Sequence, residues 1–276
     1  MKYKRFKKIS SNFWIGYEQF NTMFDSIICA IDKSDCYQVY KRIEHKNTGI
    51  HACCIQVSQS TMMTLSITQP DIVTYPKNYE YTSIRTFLIK EKSESDSKSS
   101  QTEFDLIKTL YHQPRRDSHF EVRLEKGVYK LLIDVDPTDS EYGKTLNLNF
   151  YTDHKAKINL INHGEAGPLY KTVLSSLSIK RGIKSNLLDN ESVRKYVLEI
   201  QKLGLIVHTF VNRSINYYKI AEKLAPFNFL CSKSLEDNDK LLISLPPNAL
   251  KLVTFKYVTT AQQQTVNVLE SSCLLK

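Results

Sequence analysis

The chain has 276 residues, 41% hydrophobic and 24% charged, with sixteen Tyr and twelve Phe. That balance excludes intrinsic disorder, and only eight Gly and eight Pro exclude collagen-like or low-complexity structure. The formal charge of +9 points to acidic partners: a nucleic acid, an anionic membrane or an acidic protein surface. Because the charge is spread along the chain, a basic surface that serves solubility accounts for it equally well.

The length predicts two domains or one large one. No apolar run approaches the roughly 18 residues that span a bilayer. The longest, Leu203 to Val211, is interrupted by Gly204, His208 and Thr209. The basic leader Lys2, Lys4, Arg5, Lys7 and Lys8 lacks the apolar segment of a secretory signal, so a cytoplasmic protein is expected, with a mitochondrial transit peptide as the alternative. Interleaved with Tyr3 and Phe6, the same residues are candidates for protein or anion binding, against a solvated, frayed terminus. The six Cys form no C-x-x-C pair, so reduced, mostly buried thiols are expected.

In chain order, Phe20, Met23, Phe24, Ile27 and Ile28 make one apolar stripe at helical spacing, which predicts a helix within 12–31 with Gly16 as N-cap. The period then changes to two. Met63, Leu65 and Ile67 alternate with polar residues, as do Phe120, Val122 and Leu124, and Leu146, Leu148 and Phe150. Further strands are predicted at 39–43, 52–57, 84–90, 128–135 and 156–161. Residues 91–103 (EKSESDSKSSQTE) have no apolar residue and are rich in Ser and charge, which predicts a mobile loop between strands. A boundary is expected at 162–168, where two Gly and a Pro follow the last of these strands. Beyond it, Asp189 or Asn190 is placed to cap a helix carrying Val193, Val197, Ile200 and Leu203, stopped by Gly204. Strands are predicted at 205–211, 241–245 and 250–258, with a turn at Pro246 and Pro247. The fold class is therefore mainly β: an antiparallel β-sandwich over 32–162, a short N-terminal helix within 1–31, and a smaller α+β region over 168–276, with a second, diverged sandwich as one form of it.

The stretch Asn12 to Phe20 (NFWIGYEQF), continuing to Phe24-Asp25 and Ile28-Cys29, resembles the closing helix of the calpain protease core. The following strands are similar to the calpain β-sandwich, its C2-like third domain. Thr64 to Asp71 matches an early strand ending in a Gln. Phe120 to Tyr129 matches an L-x-x-G-x-Y segment, and Gly143 to Thr152 a G-x-F-x-L-x-V-F-T strand. The resemblance covers about residues 12 to 161.

Calpains cut peptide bonds with a Cys, a His and an Asn that lie upstream of that helix. No Q-x-G-x-C-W-like and no N-P-W-G-like segment occurs here, and Cys29 matches a structural cysteine. The resemblance thus implies a pseudoenzyme, a non-catalytic scaffold or adaptor that binds a protein, and the charge of +9 makes an acidic partner the expectation. Such family members are attached to the cytoskeleton and membranes of single-celled eukaryotes, which implies a filament partner such as a microtubule and a cytoskeletal or ciliary location. Two alternatives are a Ca²⁺- and phospholipid-binding module at a membrane surface, and an accessory chain of a cysteine peptidase.

Asp134, Asp136, Asp139 and Glu141 crowd one loop with hard oxygen ligands for Ca²⁺, although Asp139 stands where an EF-hand needs Gly. A solvated acidic turn explains the same residues and ranks ahead. Gly143-Lys144-Thr145 ends like a phosphate-binding loop, but Thr138 replaces the first Gly and a strand follows. The His residues show no metal-ligand pairing, and His208 is read as a core residue. No catalytic residue and no cofactor other than Ca²⁺ is expected, and nucleic acid is not an expected partner.

Overall fold

The alternating stretches become strands because each turns one row of apolar side chains inward while the other meets water or a further layer. The computed structural model describes residues 33, 35–45, 49–71, 79–92, 103–112, 114–137, 144–187, 191–224, 229–233, 235, 239–257 and 268–275. Residues Met1–Asp35 and Cys36–Lys276 are separate compact units, and the description concerns the second almost entirely. The helix predicted within 12–31 lies outside the described residues.

The first strands are β1 (Tyr37–His45), β2 (Gly49–Val57), β3 (Thr61–Thr68), β4 (Ile84–Glu91), β5 (Phe104–His112), β6 (Asp117–Leu124), β7 (Gly127–Val135), β8 (Lys144–Thr152) and β9 (Ala156–Ile161). They pair antiparallel into a four-stranded sheet, β1-β8-β3-β6, and a five-stranded sheet, β5-β4-β7-β2-β9. Leu65, Ile67 and Phe150 of the first meet Ile55, Leu131 and Ile133 of the second in one apolar core, a sandwich-like arrangement. Of the loop predicted over 91–103, Glu91 closes β4, and 93–102 lie outside the described residues.

A helix, α1 (His163–Arg181), begins within the stretch 162–168. The Asn162 carbonyl accepts the N–H groups of Glu165 and Ala166 at 2.9 and 3.1 Å. Pro168 lies in the second turn, where it forfeits one hydrogen bond without stopping the helix. Ala166, Tyr170, Val173, Leu174 and Leu177 share the buried face.

β10 (Ile183–Asn186), β11 (Val193–Ile200), β12 (Leu205–Asn212), β13 (Tyr218–Leu224), β14 (Phe229–Cys231), β15 (Lys240–Leu245), β16 (Leu250–Tyr257) and β17 (Val268–Leu275) follow. They form an antiparallel sheet β10-β11-β12-β16-β14 and a smaller one, β15-β13-β17. Phe210 and Phe255 of the larger pack on Ile220, Leu241 and Leu245 of the smaller. The helix predicted from Asp189 or Asn190 to Leu203 is corrected to β11 and a 3-10 turn at Gln201–Leu203. Val193 and Val197, four apart, share a face in a strand as well as in a helix, and pairing with β12 selects the strand. Gly204 ends the turn as predicted, at φ 55°, a conformation that favours glycine.

Both larger sheets press on α1. Ala52, Phe87 and Leu132 of the β5-β4-β7-β2-β9 sheet and Leu205 and Val207 of β12 join it in one apolar cluster. β4 is thereby buried on both faces, Ile84 and Leu88 in the sandwich core and Phe87 and Ile89 in this cluster, which explains why period-two alternation disappears over Ile84–Ile89. The chain is thus mainly β, with antiparallel sheets and one α-helix among the described residues. No described helix is long and apolar enough to cross a membrane.

Candidate functional site

The acidic stretch at the end of β7 meets three other elements. Asp134 is 1% exposed and Asp136 7%. Lys256 of β16 places its Nζ 2.6 Å from Asp134 Oδ1 and 3.5 Å from Asp136 Oδ1. Tyr170 of α1 donates its hydroxyl to Asp134 Oδ2 at 2.9 Å. The fully buried Arg85 of β4 donates through Nη1 to Asp136 Oδ2 and through Nε to the Leu203 carbonyl at 2.7 Å. Two carboxylates therefore face two cations, and the ring joins β4, β7, α1 and β16. Beside it opens a cleft of about 440 Å³, lined also by Ile50, Lys171, Ser232 and Thr254.

The chemistry of this ring is neutralisation. Burial, and then the Asp134 carboxylate, push the Tyr170 hydroxyl well above its ordinary value, so it acts as a neutral donor. A cation at Asp134 and Asp136 would have to displace the Lys256 ammonium and compete with Arg85. No group of three or more His, Cys, Asp or Glu among the described residues is arranged to hold a metal ion. Asp139 and Glu141, the other half of the predicted Ca²⁺ set, lie outside the described residues, as do Lys2, Lys4, Arg5, Lys7 and Lys8. Sequence reading missed Arg85, Tyr170 and Lys256 because their partners lie 51, 36 and 122 residues away. The one available signal was an Arg beside the apolar run Phe87–Ile89 of β4.

A second buried cluster lies between β11, β12 and β13. Lys195 Nζ stands 2.6 Å from Glu222 Oε1, and His208 Nδ1 lies 3.6 Å from Glu222 Oε2. His208 packs edge-on to Phe255 at 4.8 Å, the core position expected of it. Burial pushes the Cys53 thiol up to about 12 and also raises Cys231 and Cys273, so these thiols stay protonated.

His112 closes β5 with 1% exposure, and neither ring nitrogen has a hydrogen-bond partner among the described residues. Burial first, then the charges of Arg115 and His119, lower its value from 6.5 to about 4. The folded state therefore binds fewer protons than the unfolded state between these values, so stability falls as pH drops through that window. The expected loss is about 3 kcal/mol by pH 4. Urea denaturation of the protein and of His112→Phe across this range checks it: the variant should lose most of that slope.

Uncommitted charge lies elsewhere. On the outer face of the three-stranded sheet, Lys219 and Lys223 of β13, Lys240 of β15 and the nearby Lys233 are exposed and form no ion pair among the described residues. Lys219, Lys233 and Lys240 line, with Leu274, which is 65% exposed, a groove of about 460 Å³ that also includes Ala221 and Leu242.

No family model and no curated protein matches the chain. Among solved structures, the structure of vicilin from Capsicum annuum aligns over 86% of this chain and 78% of its own at 8% identity, with a TM-score of 0.16, too low to carry an argument.

Proposed function

We propose that the protein is a non-catalytic, calpain-like scaffold that docks an acidic, amphipathic segment of a partner protein on the outer face of the β15-β13-β17 sheet. The observation that carries this reading is the pairing on one open face of four lysines that form no ion pair among the described residues with an exposed Leu274 over an apolar groove. Carboxylates on the partner would satisfy the ammonium groups, and an apolar side chain would fill the groove. The calpain-like, C2-like identity of the first sheet pair is part of the proposal. Its support is that the three resembling segments fall on β3, on β6 and β7, and on β8 of one pair of sheets. Gln69, the Gln of the first segment, is buried; its amide donates to the carbonyls of Thr82 and Arg115 at 2.9 and 3.0 Å.

A pull-down from the source cell at low and moderate salt, run beside Lys219→Glu/Lys240→Glu, tests the reading. An acidic partner is expected to bind the unaltered chain and to bind the variant at least tenfold more weakly, about 1.4 kcal/mol. The same proteins retained equally by both would sink the docking face. Co-pelleting with microtubules at low salt, lost in the variant, would extend the proposal to a cytoskeletal or ciliary assembly.

A further inference from the structure

The first sheet pair carries its uncommitted positive charge at the end opposite Asp134 and Asp136. β7 runs between the two ends, roughly 26 Å apart at strand geometry. At the Gly127 end, Lys126 stands in the turn between β6 and β7, Lys155 in the turn between β8 and β9, and Lys157 one residue into β9. With Gln56, Ser58 and Gly127, they line a pocket of about 690 Å³. The registry makes them neighbours: Val57 of β2 pairs with Gly127 on one side and with Ala156 on the other.

The acidic residues of these turns are committed elsewhere. Glu125 accepts from Ser60 Oγ at 3.3 Å and lies 3.9 Å from Arg123 Nε, and Asp153 accepts the Met62 N–H at 3.2 Å. Lys126, Lys155 and Lys157 are exposed and make no ion pair among the described residues. Lys90, outside the pocket lining, is turned to the Tyr129 ring at 5.7 Å, with its Cε 3.0 Å from where a Cβ on Gly127 would stand. Tyr129 holds the turn by donating its hydroxyl to the Glu125 carbonyl at 2.8 Å.

We propose that this pocket binds a phosphate-bearing ligand, with Lys126, Lys155 and Lys157 as its anion-holding residues. Three ammonium groups brought together by two turns repel one another unless a compact, multiply charged anion sits between them. A phosphate group carries close to two negative charges and three acceptor oxygens, whereas a carboxylate carries one charge. The volume lies within the range of about 300–1,000 Å³ typical of small-ligand pockets, room for more than one phosphate on a small framework. The Gln56 amide and the Ser58 hydroxyl add neutral donors at the rim. The inference does not depend on the docking face of the smaller sheet, which is built from other strands.

The test uses the full chain and two probes: sodium tripolyphosphate followed by calorimetry, and co-sedimentation with phosphatidylcholine vesicles containing phosphatidylinositol bisphosphate. Binding of tripolyphosphate in solution identifies a soluble phosphate ligand, and binding of vesicles alone identifies a lipid headgroup; either supports the site. Lys126→Gln/Lys155→Gln/Lys157→Gln is expected to weaken that binding tenfold or more, while Lys219→Gln/Lys240→Gln on the smaller sheet leaves it unchanged. Circular dichroism confirms that both variants fold. The proposal is overturned if neither probe binds, if the triple variant binds like the unaltered chain, or if the two variants lose binding equally, since equal loss means diffuse attraction to a basic protein.

Discussion

Arg85→Met is expected to lower folding stability by about 3–5 kcal/mol, the range for removing one partner of a buried ion pair. Methionine keeps much of the volume, so the loss is chiefly electrostatic. Arg85 is fully buried, donates to Asp136 and to the Leu203 carbonyl, and lies 5.0 Å over the Tyr111 ring. Without it, Lys256 alone faces two buried carboxylates, and the Leu203 carbonyl loses its guanidinium donor. The effect reaches beyond one strand because Leu203 precedes β12 whereas Arg85 belongs to β4. Urea denaturation of Arg85→Met, Asp136→Leu and the double variant separates the terms. The double variant should lose less than the sum of the singles by about 1–3 kcal/mol. Strict additivity would show that the two residues are not energetically coupled.

The same residues show where sequence reading works and where it stops. Strands with one polar face, such as β3 and β6, are legible from their alternation, because outward Thr64, Ser66, Glu121 and Arg123 mark every second position. α1 was obscured by Gly164, Gly167 and Pro168, which signal a break locally although one lost hydrogen bond near a helix start is tolerated. Its apolar face, Ala166 to Leu177, held the helical period all along. β11 and β13 were hidden by tertiary chemistry: Lys195 and Glu222 occupy inward positions where the period-two pattern calls for apolar side chains. Each charge is tolerable only because the other is there, and no local window contains both. The acidic loop failed as a site cue for the same reason. Asp134 and Asp136 are close in sequence, but the groups that neutralise them come from β4, α1 and β16. The lysines that remain uncommitted are scattered in sequence and converge only when turns and strands are assembled.

Glu222→Ala is expected to cost about 3–5 kcal/mol, because it leaves the Lys195 ammonium buried without its counter-charge. Glu222 is 0% exposed and Lys195 6%, and no other carboxylate among the described residues pairs with Lys195. Burial pushes Lys195 below the usual ammonium range against the pull of Glu222. On Glu222, burial acts to raise the carboxyl, and hydrogen bonds and charge from His208 and Lys195 outweigh it, holding it below the usual range. The imidazole of His208 cannot replace Lys195 at neutral pH, since burial lowers its value from 6.5. Protonating it would add a second cation to the cluster, so this group also makes stability fall as pH drops below 6.5. The two-sided replacement, Lys195→Met/Glu222→Leu, should behave oppositely: with both charges gone and apolar volume in their place, stability is expected to be unchanged or higher by about 1–4 kcal/mol. Guanidinium denaturation of the two variants side by side makes the comparison. A single variant within about 0.5 kcal/mol of the parent, the size of an ordinary surface change, would mean that water reaches the pair. A double variant as unstable as the single would mean that the charges are needed to seat β13 of the smaller sheet against β11 of the larger, making the pair a determinant of how the two sheets dock and not a tolerated burial.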